Sequence, residues 1–281
     1  GGRGGALAVL LGSSASVSRS EMSDNRALNG GGAIAVLGGL LSVQDSDFHA
    51  NHSDSGPLGL FANFGSRISI VNSSFRGHLG FDAGGSPQSA IGIDPDVSLS
   101  AFNTTFNGNQ IALHADRPDV LLLLHNTIAD QLSGGVIAQL GPESQVSMLN
   151  SIVSAPASAQ PDCTFSNTVM VESFNLDYVV DSDGSCAALA TQIGLSADPL
   201  LGPIGRPAGH ISYSRAPGAN ADTPSPAVDR AASEACFLDF DQYRRTRPFD
   251  LQEIADAGGP CDLGAIEVTP EAVFRDGFEA L

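Results

Sequence analysis

Few side chains in this 281-residue chain have the type and spacing to do chemistry. All 13 basic residues are arginine and lysine is absent, which excludes a lysine base, a Schiff base and the lysine of a P-loop. No G-x-S-x-G nucleophile elbow and no H-E-x-x-H zinc motif occurs. Of the six histidines, at 49, 52, 78, 114, 125 and 210, the neighbours His49 and His52 read as a solvated corner pair rather than metal ligands. Carboxylates are the better raw material. Asp45 with Asp47, and Asp94 with Asp96, stand in a stretch that also holds Arg67, Arg76 and Arg117. Such acids can hold calcium or act as acid and base on a sugar, but they are also what a solvated face supplies, which is the reading adopted. Asp181-Ser182-Asp183-Gly184, with Asp177 nearby, provides half the acids of a calcium loop. The chain then runs into Cys186-Ala187-Ala188-Leu189 where a closing carboxylate is needed, so an Asp-Gly turn is expected. No catalytic, cofactor-binding or metal-binding residue is assigned, and no cofactor.

The formal net charge is -18, with 12 acids and 6 arginines in residues 1–160 and 19 acids and 7 arginines in 161–281. Such a surface repels nucleic acid and anionic membranes. Apolar runs such as Val120 to Leu124 are far below the ~20 residues of a membrane helix. Arg3 followed by Ala6 to Leu11 is short for a signal peptide and reads as a first strand. The chain opens inside a repeat, so upstream coils are expected. Cys163, Cys186, Cys236 and Cys261 form no C-x-x-C pair. Their even number and wide spacing fit two disulfides in an oxidising compartment, with three pairings open.

The elements that position these groups follow from a repeat. A polar pair precedes a large apolar anchor at Met22, Phe48, Phe75, Phe106, Ile128 and Ile152, at steps of 26, 27, 31, 22 and 24 residues. Each anchor follows an alternating segment such as Leu41-Ser42-Val43 or Ile68-Ser69-Ile70, the period of a strand with one face buried. Gly4-Gly5-Ala6-Leu7 recurs as Gly31-Gly32-Ala33-Ile34 and more loosely as Gly134-Gly135-Val136-Ile137. Asn25, Asn51 and Asn109 lie three residues after an anchor, where asparagine can turn the chain and stack in a ladder. Leucine-rich repeats need a Leu-x-x-Leu-x-Leu pattern, and ankyrin or tetratricopeptide repeats need helical periodicity; neither is present. A hairpin sandwich is the structural rival, but it gives no reason for six anchors at a similar interval. The expectation is an all-β, right-handed parallel β-helix over residues 1–156. The six anchors should point inward as one column.

Two resemblances sharpen this. Gly31-Gly32-Ala33-Ile34 with Phe48-His49-Ala50-Asn51, and Phe106-Asn107-Gly108-Asn109, resemble the GGA[ILV] and FxxN repeats of polymorphic outer membrane proteins. Met22-Ser23-Asp24-Asn25 fits with Met for Phe, and the coil from Phe75 departs, with His78 at the Asn position. From 150 to 268 an ordered series resembles the choice-of-anchor Q domain of bacterial β-helix proteins. It runs through Asn150-Ser151-Ile152-Val153, Asp162-Cys163, Ser173-Phe174-Asn175-Leu176, Asp198-Pro199-Leu200, Ser225-Pro226-Ala227-Val228-Asp229, Asp241-Gln242-Tyr243-Arg244-Arg245 and Cys261-Asp262-Leu263-Gly264-Ala265-Ile266-Glu267. Tyr243 and Arg244 depart from that segment's usual DxRG wording. Within this pattern each sequential cysteine pair brackets its own segment, which implies Cys163–Cys186 and Cys236–Cys261.

The resemblance implies export and surface association, extracellular or at the outer membrane, and no reaction. Residues 157–268 are then a loop-rich, disulfide-containing cap over the open edge of the last rung, the alternative being a separate small domain on a linker. Residues 269–281 form a tail whose Val273-Phe274-Arg275-Asp276-Gly277-Phe278 resembles terminal sequences of Gram-negative exported proteins. The function expected is non-enzymatic: adhesion, surface interaction or carbohydrate contact, with a cell-surface glycan or protein as partner. The chain would be a monomer or the stalk end of a longer passenger. The alternative is a polysaccharide lyase or glycoside hydrolase on the same fold.

Overall fold

The computed structural model describes residues 2–155, 160–168, 171–190, 194–220, 223–232, 235–251, 254 and 258–269. The 156/157 boundary and the tail sequence from Val273 lie outside them. The fold is all-β: parallel strands stack as a β-solenoid of about 6 turns. Each turn contributes one strand to each of three sheets. The first sheet runs from Leu7–Val9 through Ile34–Leu37, Leu60–Asn63, Ser89–Ile93, Ile111–Asp116 and Val136–Gln139 to Cys163–Ser166. The second runs from Ser14–Ser18 through Leu40–Gln44, Arg67–Val71, Ser98–Phe102 and Val120–Leu124 to Gln145–Ser154 and Ser173–Asp181. The third holds Glu21–Ser23, Asp47–His49, Ser74–Arg76, Thr105–Asn107 and Thr127–Ala129, and joins the second through the ten-residue strand Gln145–Ser154.

The alternation that marks these segments has the physical cause expected of it. In Leu40–Gln44 the inward Leu41 and Val43 are buried while Leu40, Ser42 and Gln44 face out. In-register pairing puts Val43 over Ile70 and Leu41 over Ile68, so the core repeats rung by rung.

The bend between second and third sheets is made by residues in the left-handed region: Arg19, Asp45, Asn72, Asn103, His125 and Asn150, with φ between 47° and 52°. Three residues beyond each corner stands the inward column Met22, Phe48, Phe75, Phe106, Ile128 and Val153. Ile152 is therefore not its last member, contrary to the expectation. Ile128 pairs with Val153, and Ile152 pairs with Thr127 and points outward into a second core with Val180, Ala227, Ala231 and Leu263. The misreading aligned Asn150 with Asn126, whereas Asn150 is the left-handed corner equivalent to His125. Met22 is half-buried because it has one neighbouring rung; Phe48, Phe75 and Phe106 are fully enclosed. Phe75 stacks on Phe48 at 4.7 Å and on Phe106 at 5.5 Å.

A polar ladder runs beside the column. Asn25 Nδ2 donates to Asn51 Oδ1 at 2.9 Å, Asn51 Nδ2 to His78 Nε2 at 3.2 Å, His78 Nδ1 to Asn109 Oδ1 at 3.0 Å, and the Asn109 amide to Gln131 Oε1 at 3.0 Å. His78 thus fills the asparagine place in the coil that departs from the repeat, and Gln131 fills it in the coil after Asn109.

Coiling continues past residue 156. Cys163–Ser166 pairs with Val136–Gln139, and Gly194–Ser196 pairs with Val179–Asp181. The Cys163–Cys186 disulfide (Cα–Cα 5.0 Å) lies in the main core beneath a short 3-10 turn, Ala187–Leu189, and closes the last rung. The remaining loop-rich chain covers more than that rung: it lies along the flank of the solenoid. Arg244 pairs with Asp45 at 2.6 Å, Tyr213 N donates to Ser74 Oγ at 2.9 Å, and Thr105 Oγ1 donates to Gln242 Oε1 at 2.7 Å. Ala265 N donates to Thr127 Oγ1 at 3.0 Å. Beneath this arm Asp47, Ser74, Thr105, Thr127 and Ile152, all outward on the third sheet, are buried. Cys236–Cys261 (Cα–Cα 5.9 Å) and the fully buried Arg247–Glu267 pair at 2.6 Å hold the arm's own shape.

Candidate functional site

The outer face of the second sheet carries a shallow groove of about 560 Å³. Period-two alternation sends Ser14 and Ser16, then Ser42, Ser69, and Ser98 with Ser100, to this surface from successive rungs, and parallel register lines up Ser16, Ser42, Ser69 and Ser100. Leu40 and Arg67 complete the rim. The groove lining contains no carboxylate, imidazole or thiol. Hydroxyls and one guanidinium can bind through hydrogen bonds; they cannot take and return a proton at neutral pH.

The acids are elsewhere, and register sorts them differently from sequence proximity. Asp94 and Asp96 do not form a pair. Asp96 sits on a left-handed turn, with φ 65°. Asp94 follows the Ile93–Ala115 pair by one step, which sets it beside Asp116 on the outward face of the first sheet, next to His114. Burial, then the Asp116 charge, raises the pKa of Asp94; burial lowers that of His114. Asp116 was missed because it lies one coil away; the step of that rung, Ile91 to Leu113, leads from Asp94 to Asp116. The arginines near these acids in sequence serve other partners: Arg117 meets Asp116 at 3.2 Å, Arg67 is on the second sheet, and Arg76 is committed to Asp47.

Asp45 and Asp47 also part company. Asp45 is a corner residue holding Arg244. Asp47 is buried, accepts from Ser74 Oγ at 2.5 Å and Arg76 Nη2 at 2.8 Å, and lies 2.8 Å from His49 Nδ1. Glu21 Oε1 approaches His49 Nε2 at 3.6 Å. The Arg76 guanidinium, 4.0 Å from the Tyr213 ring centre, supplies the positive charge this acidic group needs. His52 turns away to Asp54, 3.5 Å distant, so the histidine pair of the sequence is not a pair in space.

A third group, Asp162, Asp181 and Asp183, gathers at the last rung with carboxylate oxygens within 4.8 Å of one another. All six oxygens already accept hydrogen bonds. Asp162 takes Ala155 N and Ser182 N and Oγ; Asp181 takes Ala187 N and Cys186 N; Asp183 takes Ser185 N and Asp162 N, at 2.7 to 3.1 Å. The Asp183-Gly184 turn is real, with Gly184 at φ 83°. Burial foremost lifts Asp181 to about 6, while Asp183, bonded by Ser185, stays low. This trio knots the closing turn to the rung.

What the fold and surfaces define is a disulfide-bonded parallel β-helix with a serine-lined sheet groove that carries one arginine. No known protein-family model, curated protein or solved structure matches the chain. No helix among the described residues is long and apolar enough to cross a membrane.

Proposed function

We propose that this chain is a non-enzymatic, exported β-helix protein that acts by surface contact, in adhesion or in carbohydrate binding at or outside a cell surface. The observation that carries the reading is the chemistry of the groove: a surface of serine hydroxyls with Arg67 at its rim binds but lacks an acid–base pair. Two disulfides support an oxidising compartment, and the likeness to choice-of-anchor Q and polymorphic outer membrane protein sequences supports surface association. The test is an assay for new reducing ends and unsaturated product on a panel of neutral and acidic glycans, with and without calcium. No turnover is expected; turnover on any member overturns the proposal.

One observation favours a second reading, glycoside hydrolysis: Asp94 and Asp116 occupy neighbouring rungs on one sheet face, with Asp94 shifted toward its protonated form. Should turnover appear and vanish in both Asp94→Asn and Asp116→Asn, that reading replaces the first.

A further inference from the structure

We propose that the outer face of the second sheet is a docking platform for a neutral, extended polysaccharide lying along the solenoid axis. This rests on the surface-contact reading and names its ligand. Three outward positions on each of the first six of the sheet's seven strands, from Ser14–Ser18 to the first half of Gln145–Ser154, make up the platform; the seventh, Ser173–Asp181, bounds it with the buried Asp177 beside Leu149. Among these described positions Arg67 is the one charged residue, in a chain whose composition is 16% charged. The face therefore offers hydroxyls and apolar side chains, with a single charge, on a protein whose formal net charge is -18.

The occupant follows from charge and area. A polyanion would meet one arginine on a protein of formal charge -18, and a polycation would meet carboxylates only at the edge, where Asp119 and Glu172 already accept from Ser98 Oγ and Gln145 Nε2. An uncharged ligand asks for neither. Six strands about 4.8 Å apart and five residues of about 3.3 Å give roughly 450 Å². That is well below the ~800 Å² per partner of a stable protein interface, so a second copy of the chain is a poor fit.

A sugar chain is narrow enough, and its chemistry matches the face along its length. Hydroxyls dominate the first four rungs at Ser16, Ser42, Ser69 and Ser100. Apolar side chains join them at Phe102 on the fourth rung and continue at Leu122 and Leu124 on the fifth. Pyranose rings present hydroxyls at their edges and C–H groups on their faces, and an extended β-linked chain advances per sugar by close to one rung. Serines at rung spacing can therefore meet successive sugars, while Phe102 and Leu122 support a ring face.

The full chain should be tested by co-sedimentation with insoluble cellulose, chitin and β-1,3-glucan, and by affinity electrophoresis in pectate and alginate, at low and high salt. Expected is binding to at least one neutral polymer that salt does not weaken. Ser69→Asp and Leu122→Asp should each weaken it by about tenfold or more, equivalent to about 1.4 kcal/mol. Thr164→Asp places the same charge on the outward side of the first sheet and should leave it unchanged. Circular dichroism and melting temperature confirm that each variant folds. Binding confined to polyanions and lost in salt overturns the inference. So does a dimer in sedimentation velocity that Leu122→Asp dissociates, binding indifferent to both face variants, or no binding to any polymer. Turnover of a polymer instead sinks the surface-contact reading beneath it.

Discussion

Protonating His78 would turn an acceptor into a donor inside a full ladder. Its Nδ1–H already donates to Asn109, and its Nε2 accepts from Asn51, so an added proton would face another N–H. Burial foremost lowers its pKa from 6.5 to about 4. The unfolded chain therefore takes up a proton as pH falls through 6.5 while the folded chain does not, and stability is lost progressively between about 6.5 and 4. The loss from this residue is about 3 kcal/mol by pH 4. Asp181 works in the opposite sense. Its folded pKa of about 6 exceeds its unfolded value, so the fold gains stability as pH drops from about 6 toward 3.8, which offsets part of the loss from His78. The difference between proteins isolates His78. His78→Asn restores the ladder residue of the neighbouring coils, and its stability relative to the parent should rise by about 3 kcal/mol from pH 7 to pH 4 in urea titrations. A pH-independent difference would contradict the ladder argument.

At the scale of strands and corners, the column makes a sharp claim about two adjacent residues. Val153 faces the main core beneath Ile128, and Ile152 faces the arm. Val153→Asp should abolish folding of the last rungs. Ile152→Ala should cost about 2–5 kcal/mol and loosen the arm while the rungs persist, visible as amide exchange lost first around Ala227 to Cys236. Phe75→Ala, mid-stack between two rings, should cost about 3–5 kcal/mol and weaken the rungs themselves. The fold was legible because alternation and anchor spacing repeat: Phe48, Phe75 and Phe106 follow from the pattern alone. The error at Ile152 shows where legibility stops. The corner demands a left-handed residue, and Arg19, Asp45, Asn72, Asn103, His125 and Asn150 all meet that demand with different side chains. A conformation shared by Arg, Asp, Asn and His leaves no common letter to align. The candidate site was harder still. Serines at rung spacing look like ordinary solvated strand positions, and the Asp94–Asp116 neighbourhood depends on a rung length that varies from coil to coil.

Over the whole molecule the arm decides how the solenoid comes apart. A stack in which each rung touches its neighbours can unfold from an end, because its stability is a sum of local terms. Here Arg244 reaches back to Asp45, Gln242 to Thr105, Gly264 to Asn150 and Arg215 to Asp130, so one segment staples rungs far apart in sequence. That ties the middle rungs to the last ones and should make melting a single transition. The Cys236–Cys261 bond, closing a loop of 25 residues, keeps the arm in the shape that fits and contributes about 3 kcal/mol. Its carbonyl neighbour is already engaged: Cys236 O lies 2.7 Å from His125 Nε2 at a solenoid corner. Replacing both cysteines by serine should therefore free the arm before the rungs. Calorimetry should show two transitions instead of one, the first opening to hydrogen exchange the arm amides of Tyr213, Gly264 and Ala265, which donate to Ser74, Asn150 and Thr127 of the solenoid, while the rung amides of Ile34, Leu60 and Ile91 in the first sheet stay protected. The same substitution at Cys163 and Cys186 acts inside the core of the last rung, and should lower one transition without splitting it. If the arm variant melts in one step at the parent temperature, the arm merely rests on the flank, and the rungs owe their cohesion to the column alone.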